Sequence, residues 1–191
     1  MIPLHHSVEF QHHLWDDVLP QANIVVDLTC GNGHDTLYLL QHSHSKARIY
    51  AIDVQKEAIQ STMERLREKA PETYHQVCVL QGSHDTILET YPISNIDLIV
   101  ANLGYLPNGN HSIMTHEDTT IRAIAIGLQK LSVHGLCTIV AYPGTEQGYR
   151  ESKAVEAYLS SIDQTVYHCS TWHPINQKHN PPILYIIRRR K

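Results

Sequence analysis

Short apolar, β-branched runs alternate along this chain with segments of helical period, and no other feature narrows its fold as far. Ile24-Val25-Val26-Asp27-Leu28 reads as a buried strand, and residues 35–43 as the helix after it. Arg48-Ile49-Tyr50-Ala51-Ile52-Asp53 is the next strand, and residues 55–69 form the next helix, ended before Pro71. Residues 77–80 and 96–101 supply a third and a fourth strand. A helix over 117–132, a fifth strand over 136–141 and a helix over 148–162 follow. Apolar strands alternating with helices build a parallel sheet covered on both faces. Two late runs, 165–170 and 183–188, have only a short connection, so they are expected as an antiparallel pair. The expected fold class is α/β: a seven-stranded, mostly parallel sheet with helices on both faces and an antiparallel C-terminal strand pair.

A chain of 191 residues fits one domain and buries enough surface to stand without cross-links. Residues 1–191 are read as that domain. Residues 1–20 form an N-terminal helical extension in which Val8, His12, Trp15 and Leu19 recur at three- and four-residue steps. The spacing predicts a face packed on the core, with a lid over a ligand as the alternative. Hydrophobic residues make up 42% and charged residues 18%, which is globular rather than disordered. No apolar run approaches the ~18 residues that span a bilayer, so no membrane role is expected. Met1 to Pro20 is rich in His and acids, with no basic flank and no apolar centre, unlike a secretory signal. Cys30, Cys78, Cys137 and Cys169 lie at least 32 residues apart, so there is no Cys-x-x-Cys pair for zinc, haem or redox work. Separate thiols and no export signal favour a cytoplasmic protein. Of the 15 His, His5, His6, His12, His13, His42 and His44 lie near one another in sequence without an accompanying Cys or carboxylate pattern, and no metal is expected.

Charge is uneven. Residues 1–100 hold 6 Lys and Arg against 13 Asp and Glu, whereas residues 101–191 hold 9 against 6. A net charge of −4 argues against a protein that coats nucleic acid by charge alone, but it allows a local basic patch. The closing Arg188-Arg189-Arg190-Lys191 reads as a frayed, solvated tail.

Asp27-Leu28-Thr29-Cys30-Gly31-Asn32-Gly33 lies where the first strand turns into the first helix of the sheet. Glycines there let the backbone approach a ligand, and the helix N-terminus offers unpaired N–H groups. A dinucleotide site wants Gly-x-Gly-x-x-Gly, so that a pyrophosphate rests on the helix end. Here Thr36 stands at the third glycine position, and the turn opens on Asp27. An acid is wrong beside a pyrophosphate and right beside a cation, which points to S-adenosylmethionine with its sulfonium and ammonium. Asp53 ends the second strand, where a carboxylate can accept two hydrogen bonds from a ribose; capping the following helix is its plainer role. After the third strand, Ser83 or His84 can reach an adenine edge, while Asp85 reads equally as a helix N-cap.

The fourth strand ends in Asn102-Leu103-Gly104-Tyr105-Leu106-Pro107, facing the same crevice. The turn resembles the Asn-Pro-Pro-Tyr turn of amino-directed methyltransferases. There an Asn carbonyl and a backbone carbonyl hold the target amine in line with the methyl group. Asn102 would supply the carbonyl, Gly104 the close approach, and Tyr105 a ring to stack on a base. No Pro-Cys pair suited to covalent attack on a pyrimidine carbon is present.

With those residues in view, the chain resembles the MnmM (YtqB-like) family. These are small Rossmann-like class I S-adenosylmethionine-dependent methyltransferases, formerly labelled rRNA methylase-like, that methylate 5-aminomethyl-2-thiouridine at the tRNA wobble position. The likeness rests on Gly31-Asn32-Gly33-His34-Asp35-Thr36, Ser83-His84-Asp85, Asn102 to Pro107, Ile175-Asn176-Gln177 and Asn180-Pro181-Pro182, and it spans about residues 20–188. It implies cofactor contacts from Asp27, Gly31, Asn32, Gly33, Asp35 and Thr36 in the turn, and from Asp53, Gln55, Ser83 and His84 beyond it. It implies catalytic roles for Asn102, Gly104 and Tyr105. It also implies a tRNA partner, met at the anticodon stem-loop by Tyr105, Tyr142, His173, Asn176, Gln177 and Lys178. Arg122, Arg150, Lys153 and Lys178 are candidates for phosphates, and Tyr105, Tyr142, Trp172 and His173 for stacking on splayed bases. A homodimer would enlarge the basic surface.

Other readings predict other features. A nicotinamide-dependent oxidoreductase wants the missing third glycine. A non-catalytic RNA-binding module on the same fold has no need of Asn102 or the Asp27 turn, both of which are intact. A methyltransferase acting on rRNA keeps the same site, and one acting on a small-molecule amine wants a larger lid than residues 1–20 provide.

Overall fold

The computed structural model describes residues 7–104 and 115–191. In chain order these form α1 (Ser7–Asp16), β1 (Ile24–Asp27), α2 (His34–His42), β2 (Arg48–Asp53), α3 (Lys56–Lys69), β3 (Val77–Gln81), α4 (His84–Thr90), β4 (Ile96–Asn102), α5 (Glu117–Lys130), β5 (Leu131–Ala141), α6 (Glu146–Ser161), β6 (Tyr167–Trp172) and β7 (Ile183–Arg189). The strands make one seven-stranded sheet in the order β3-β2-β1-β4-β5-β7-β6. β1 to β5 run parallel, and β7 pairs antiparallel with both β5 and β6. The expected architecture is present, including the antiparallel C-terminal pair.

Alternation along the central strands explains the two-sided core. Val26, Ile99 and Ala101 join one buried cluster, whereas Val25, Leu98 and Val100 join the other. Neighbouring residues of one strand therefore feed opposite faces, each covered by helices. The N-terminal helix belongs to the second cluster through Trp15, which is fully buried. Trp15 Nε1 donates to Thr138 Oγ1 of β5 at 2.9 Å, which satisfies its one polar atom. Packing is thus a role of α1, with Leu19 also buried just beyond its end.

Four local expectations change. α4 has seven residues, too few to display a helical period, so it was legible only as a capped turn. Ser83, rather than Asp85, holds its N-cap position. β5 starts at Leu131, five residues early, because its pairing with β4 shifts register between Ile96 and Leu98. The C-terminal basic run is not a frayed tail. β7 reaches Arg189, and the Arg188 and Arg189 guanidinium groups donate to the backbone carbonyls of His134 and Leu131.

Gly33 opens α2 with φ 76°, a left-handed conformation that side chains rarely adopt. A Cβ there would stand 2.8 Å from Thr62 Cα in α3, which is backbone and cannot rotate away. Gly33→Ala is expected to lower the unfolding free energy by about 1–3 kcal/mol. Urea denaturation at neutral pH measures it, and an unchanged midpoint would show that α2 and α3 separate without cost.

Candidate active site

Strand order reverses between β1 and β4, so the turns leaving these two strands part in opposite directions. A cavity of about 810 Å³ opens there, beyond the carboxyl ends of the strands. Thr29, Cys30 and Gly31 line it from the β1 exit, Asp53 and Gln55 from the β2 exit, and His84 from α4. Asn102, Leu103 and Gly104 line it from the β4 exit, and Tyr142 from the β5 exit.

On the β2 side, Asp53 Oδ2 accepts from the Gly31 N–H at 3.0 Å and Oδ1 from the Gln55 N–H at 2.9 Å. Asp53 lines the cavity with acceptor capacity to spare, so the carboxylate can still accept from a diol. Gln55, not Asp53, stands at the N-cap of α3, so the plainer reading of Asp53 as that helix's cap does not describe it. Burial pushes the Asp53 carboxyl above its usual range, opposed by the Gln55 and Gly31 N–H groups. Nearby, His84 is nearly buried, and its Nε2 has no hydrogen-bond partner of good geometry, although the Leu28 and Thr119 backbone and the Asp53 charge lie close. Desolvation holds its pKa below the usual value. A diol acceptor beside the glycine turn, with His84 on the same cavity wall, suits the ribose of an adenosine.

On the β4 side, Asn102 is fixed at both ends. Its backbone N–H donates to Thr29 Oγ1 at 2.7 Å, and its Nδ2 donates to Asp35 Oδ2 in a short contact. Asp35 Oδ1 is 2.7 Å from His12 Nε2 of α1. Gln11 Nε2 lies 3.5 Å from Asn102 Oδ1, at the outer limit of a hydrogen bond. Gly104 adopts φ 134°, and a clamp holds it in place: its N–H donates to Thr115 Oγ1 at 2.9 Å, and its carbonyl accepts from the Thr115 N–H at 3.0 Å. The Thr115 hydroxyl donates in turn to the buried Glu151 of α6, as does that of Thr120.

The structure gathers Gly31, Asn32, Asp35, Asp53, Gln55, Ser83, His84, Asn102, Gly104 and Tyr142 around one cavity. Asp27, Gly33 and Thr36 are not on its wall. Asp27 is buried behind the turn, where it accepts from the Thr29 N–H and from the Thr36 hydroxyl. Burial raises its pKa to about 7, and its two hydrogen bonds brace the loop. Gly33 likewise serves its contact with α3. Tyr105 lies outside the described residues. His173, Asn176, Gln177 and Lys178 do not line the cavity, but they sit between β6 and β7 at the same end of the sheet. Asn180 Nδ2 ties that connection to the Pro143 carbonyl at 3.4 Å. Three of the candidate phosphate contacts are paired with acids: Arg122 with Asp85 and Glu89, Arg150 with Glu146, and Lys153 with Glu156.

Sequence reasoning missed Thr29, Gln11 and the Thr115–Glu151 clamp. Nothing in the local pattern marks them, since each acts across 31 or more residues of chain. Among the described residues, no group of His, Cys, Asp or Glu converges as a metal site, and no helix is long and apolar enough to cross a membrane.

A sheet of this order with a diol-accepting aspartate at its switch point suits a nucleoside cofactor, and its relatives make the chain an S-adenosylmethionine-dependent methyltransferase. The chain belongs to the family described as "Putative rRNA methylase", whose sequence pattern it matches over residues 49–188. It is 33% identical, over 96% of its length and 69% of the relative's, to the chloroplastic tRNA (mnm(5)s(2)U34)-methyltransferase of Arabidopsis thaliana. A Clostridium thermocellum structure described as a "putative rRNA-methylase" superposes with a TM-score of 0.91 at 32% identity, covering 96% of this chain and 97% of that one. A Streptococcus mutans methyltransferase structure in complex with SAH superposes at 0.85, also at 32% identity, over 96% and 98%. S-adenosylmethionine is the cofactor.

Asp53→Ala is expected to weaken S-adenosylmethionine binding by about 1.5–3 kcal/mol per charge-assisted hydrogen bond lost. Calorimetry on the variant, with its melting curve as the check on folding, measures this. Full affinity in a folded variant would remove Asp53 from the site.

Proposed function

We propose that the protein N-methylates the aminomethyl group of 5-aminomethyl-2-thiouridine at the tRNA wobble position. The observation that carries this reading is the orientation of Asn102. An ionised carboxylate only accepts hydrogen bonds, so with Asp35 beside it the amide must turn Nδ2 inward, leaving Oδ1 as the acceptor for a substrate. A neutral primary amine has two hydrogens and one lone pair. Two acceptors that hold both hydrogens leave the lone pair aimed at an electrophile. Asn102 Oδ1 is the first acceptor. The Leu103 carbonyl is the second, because the Gly104 carbonyl already takes the Thr115 N–H. The 33% identity to a tRNA (mnm(5)s(2)U34)-methyltransferase over nearly the whole chain supports the same substrate.

The cofactor supplies an electrophilic methyl group on a sulfonium. Gly31, Asn32, Asp53, Gln55 and His84 bind it in this reading, with Ser83 orienting the start of α4 by donating to Asp85. Asp35 fixes Asn102 rather than the cofactor. The amine nitrogen forms its bond to the methyl carbon as the carbon–sulfur bond breaks, and the product ammonium then loses a proton to solvent. Gly104 permits the close approach, Tyr105 stacks on the uridine, and Tyr142 closes the crevice on its far side. His173, Asn176, Gln177 and Lys178 meet the anticodon stem-loop from the β6–β7 connection. The chain acts as one domain in the cytoplasm, and a second copy would extend the RNA surface.

Asn102→Ala is expected to lower the single-turnover rate by roughly 10²-fold or more, with S-adenosylmethionine affinity unchanged. The wild-type rate is expected to rise with pH through the neutral range, because only the deprotonated amine carries a lone pair. Single-turnover methylation of a wobble-uridine hairpin across pH reads both. A flat profile with a fully active Asn102→Ala enzyme would show that this loop does not hold the nucleophile.

A further inference from the structure

We infer that His12, on the N-terminal helix, is a positioning residue for methyl transfer, acting through Asp35 to fix the amide of Asn102. The inference rests on Asn102 being the acceptor of the substrate amine. Asn102 alone does not determine which way its amide faces, because oxygen and nitrogen occupy nearly the same space. Asp35 settles the choice, and Asp35 must itself be held. Its Oδ2 takes Asn102 Nδ2, and its Oδ1 faces His12 Nε2 at 2.7 Å. With the proton on Nε2, His12 donates to Asp35, and each carboxylate oxygen then has a fixed donor.

His12 is itself fixed by packing. Its ring stacks on Tyr38 with centroids 4.0 Å apart and lies against Trp15 at 4.8 Å. The Tyr38 hydroxyl donates to Asp16, on the same helix as His12, at 2.6 Å. Trp15 is anchored on β5 through Thr138. The imidazole thus has one direction in which to point, and that direction is Asp35.

A second residue of α1 reaches the same amide. Gln11 is fully buried, and its Nε2 faces Asn102 Oδ1 while its Oε1 has no partner. Turning the Gln11 amide would set oxygen against oxygen. The helix leaves one buried carbonyl unsatisfied and directs a donor at the acceptor edge of Asn102. Packing of α1 therefore carries a consequence for chemistry: it sets the orientation of the atom that receives the amine.

Two substitutions separate the donor from the ring. His12→Phe keeps an aromatic ring between Tyr38 and Trp15 but cannot donate to Asp35. His12→Gln gives up the ring and keeps a donor at a similar reach. The expected result is a single-turnover rate roughly 10- to 100-fold lower for His12→Phe, with S-adenosylmethionine affinity, RNA KM and melting temperature unchanged, and a rate largely restored in His12→Gln. In an Asn102→Ala background, His12→Phe is expected to cost nothing further, because the group it positions is gone. Wild-type turnover in His12→Phe, a His12→Gln variant as slow as His12→Phe, or losses that multiply in the double variant would each overturn the inference. If Asn102→Ala is slow while His12→Phe is fast, only the role of His12 fails. If Asn102→Ala is itself fully active, the acceptor assignment fails and takes the inference with it.

Discussion

The reversal of strand order between β1 and β4 is the constraint from which the site follows. Parallel strands need crossover helices, and right-handed crossovers from a central strand carry the chain outward in both directions. The exits of β1 and β4 therefore diverge, and a cavity opens above them. Hydrogen bonds across the gap then do what packing cannot. Thr29, just past β1, receives the Asn102 N–H at the end of β4. Asp53, at the end of β2, receives the Gly31 N–H of the β1 turn. The two halves of the crevice are fastened to each other by side chains at the strand ends, with the sheet itself as the rigid support.

Three aspartates near this gap divide the work by burial. Asp27 is sealed beneath the turn, where its two protein donors make it a scaffold. Asp53 is mostly buried yet still lines the cavity, and it keeps acceptor capacity toward it. Asp35 lies on the wall and is committed to His12 and Asn102. The same side chain thus gives a loop brace, a diol acceptor and an amide orienter. What differs is where the fold sets each carboxylate: beneath the turn for Asp27, on the cavity wall for Asp35 and Asp53.

Much of this was legible in the sequence, and the exceptions have a common cause. Strand and helix periods marked the sheet because alternation in Val25-Val26 and Leu98-Ile99 reflects a covering on both faces. The glycine turn, Asp53 and the Asn102 loop were visible because each lies at a strand end, where local sequence and site coincide. The burial of Asp27 was not legible, since a carboxylate at the head of the turn looks the same in sequence whether it faces inward or toward a ligand. α4 was too short to show a period. His12, Gln11, Thr115 and Glu151 reach their partners across stretches of chain that no local pattern links, so only the packing of α1 and α6 brings them to the site.

The central claim is that the crevice holds a neutral amine by two acceptors, one on each hydrogen. An anticodon hairpin carrying 5-aminomethyl-2-thiouridine and a second carrying the 5-hydroxymethyl analogue differ at the reacting atom: a nitrogen with two hydrogens in one, an oxygen with one in the other. Competing the two in equal amounts, with S-adenosylmethionine and the protein, and weighing the nucleosides by mass spectrometry tests the claim directly. Methyl addition to the amine hairpin alone is the expected result. Comparable methylation of the hydroxymethyl hairpin, or methylation of neither while another RNA position gains the group, would contradict it.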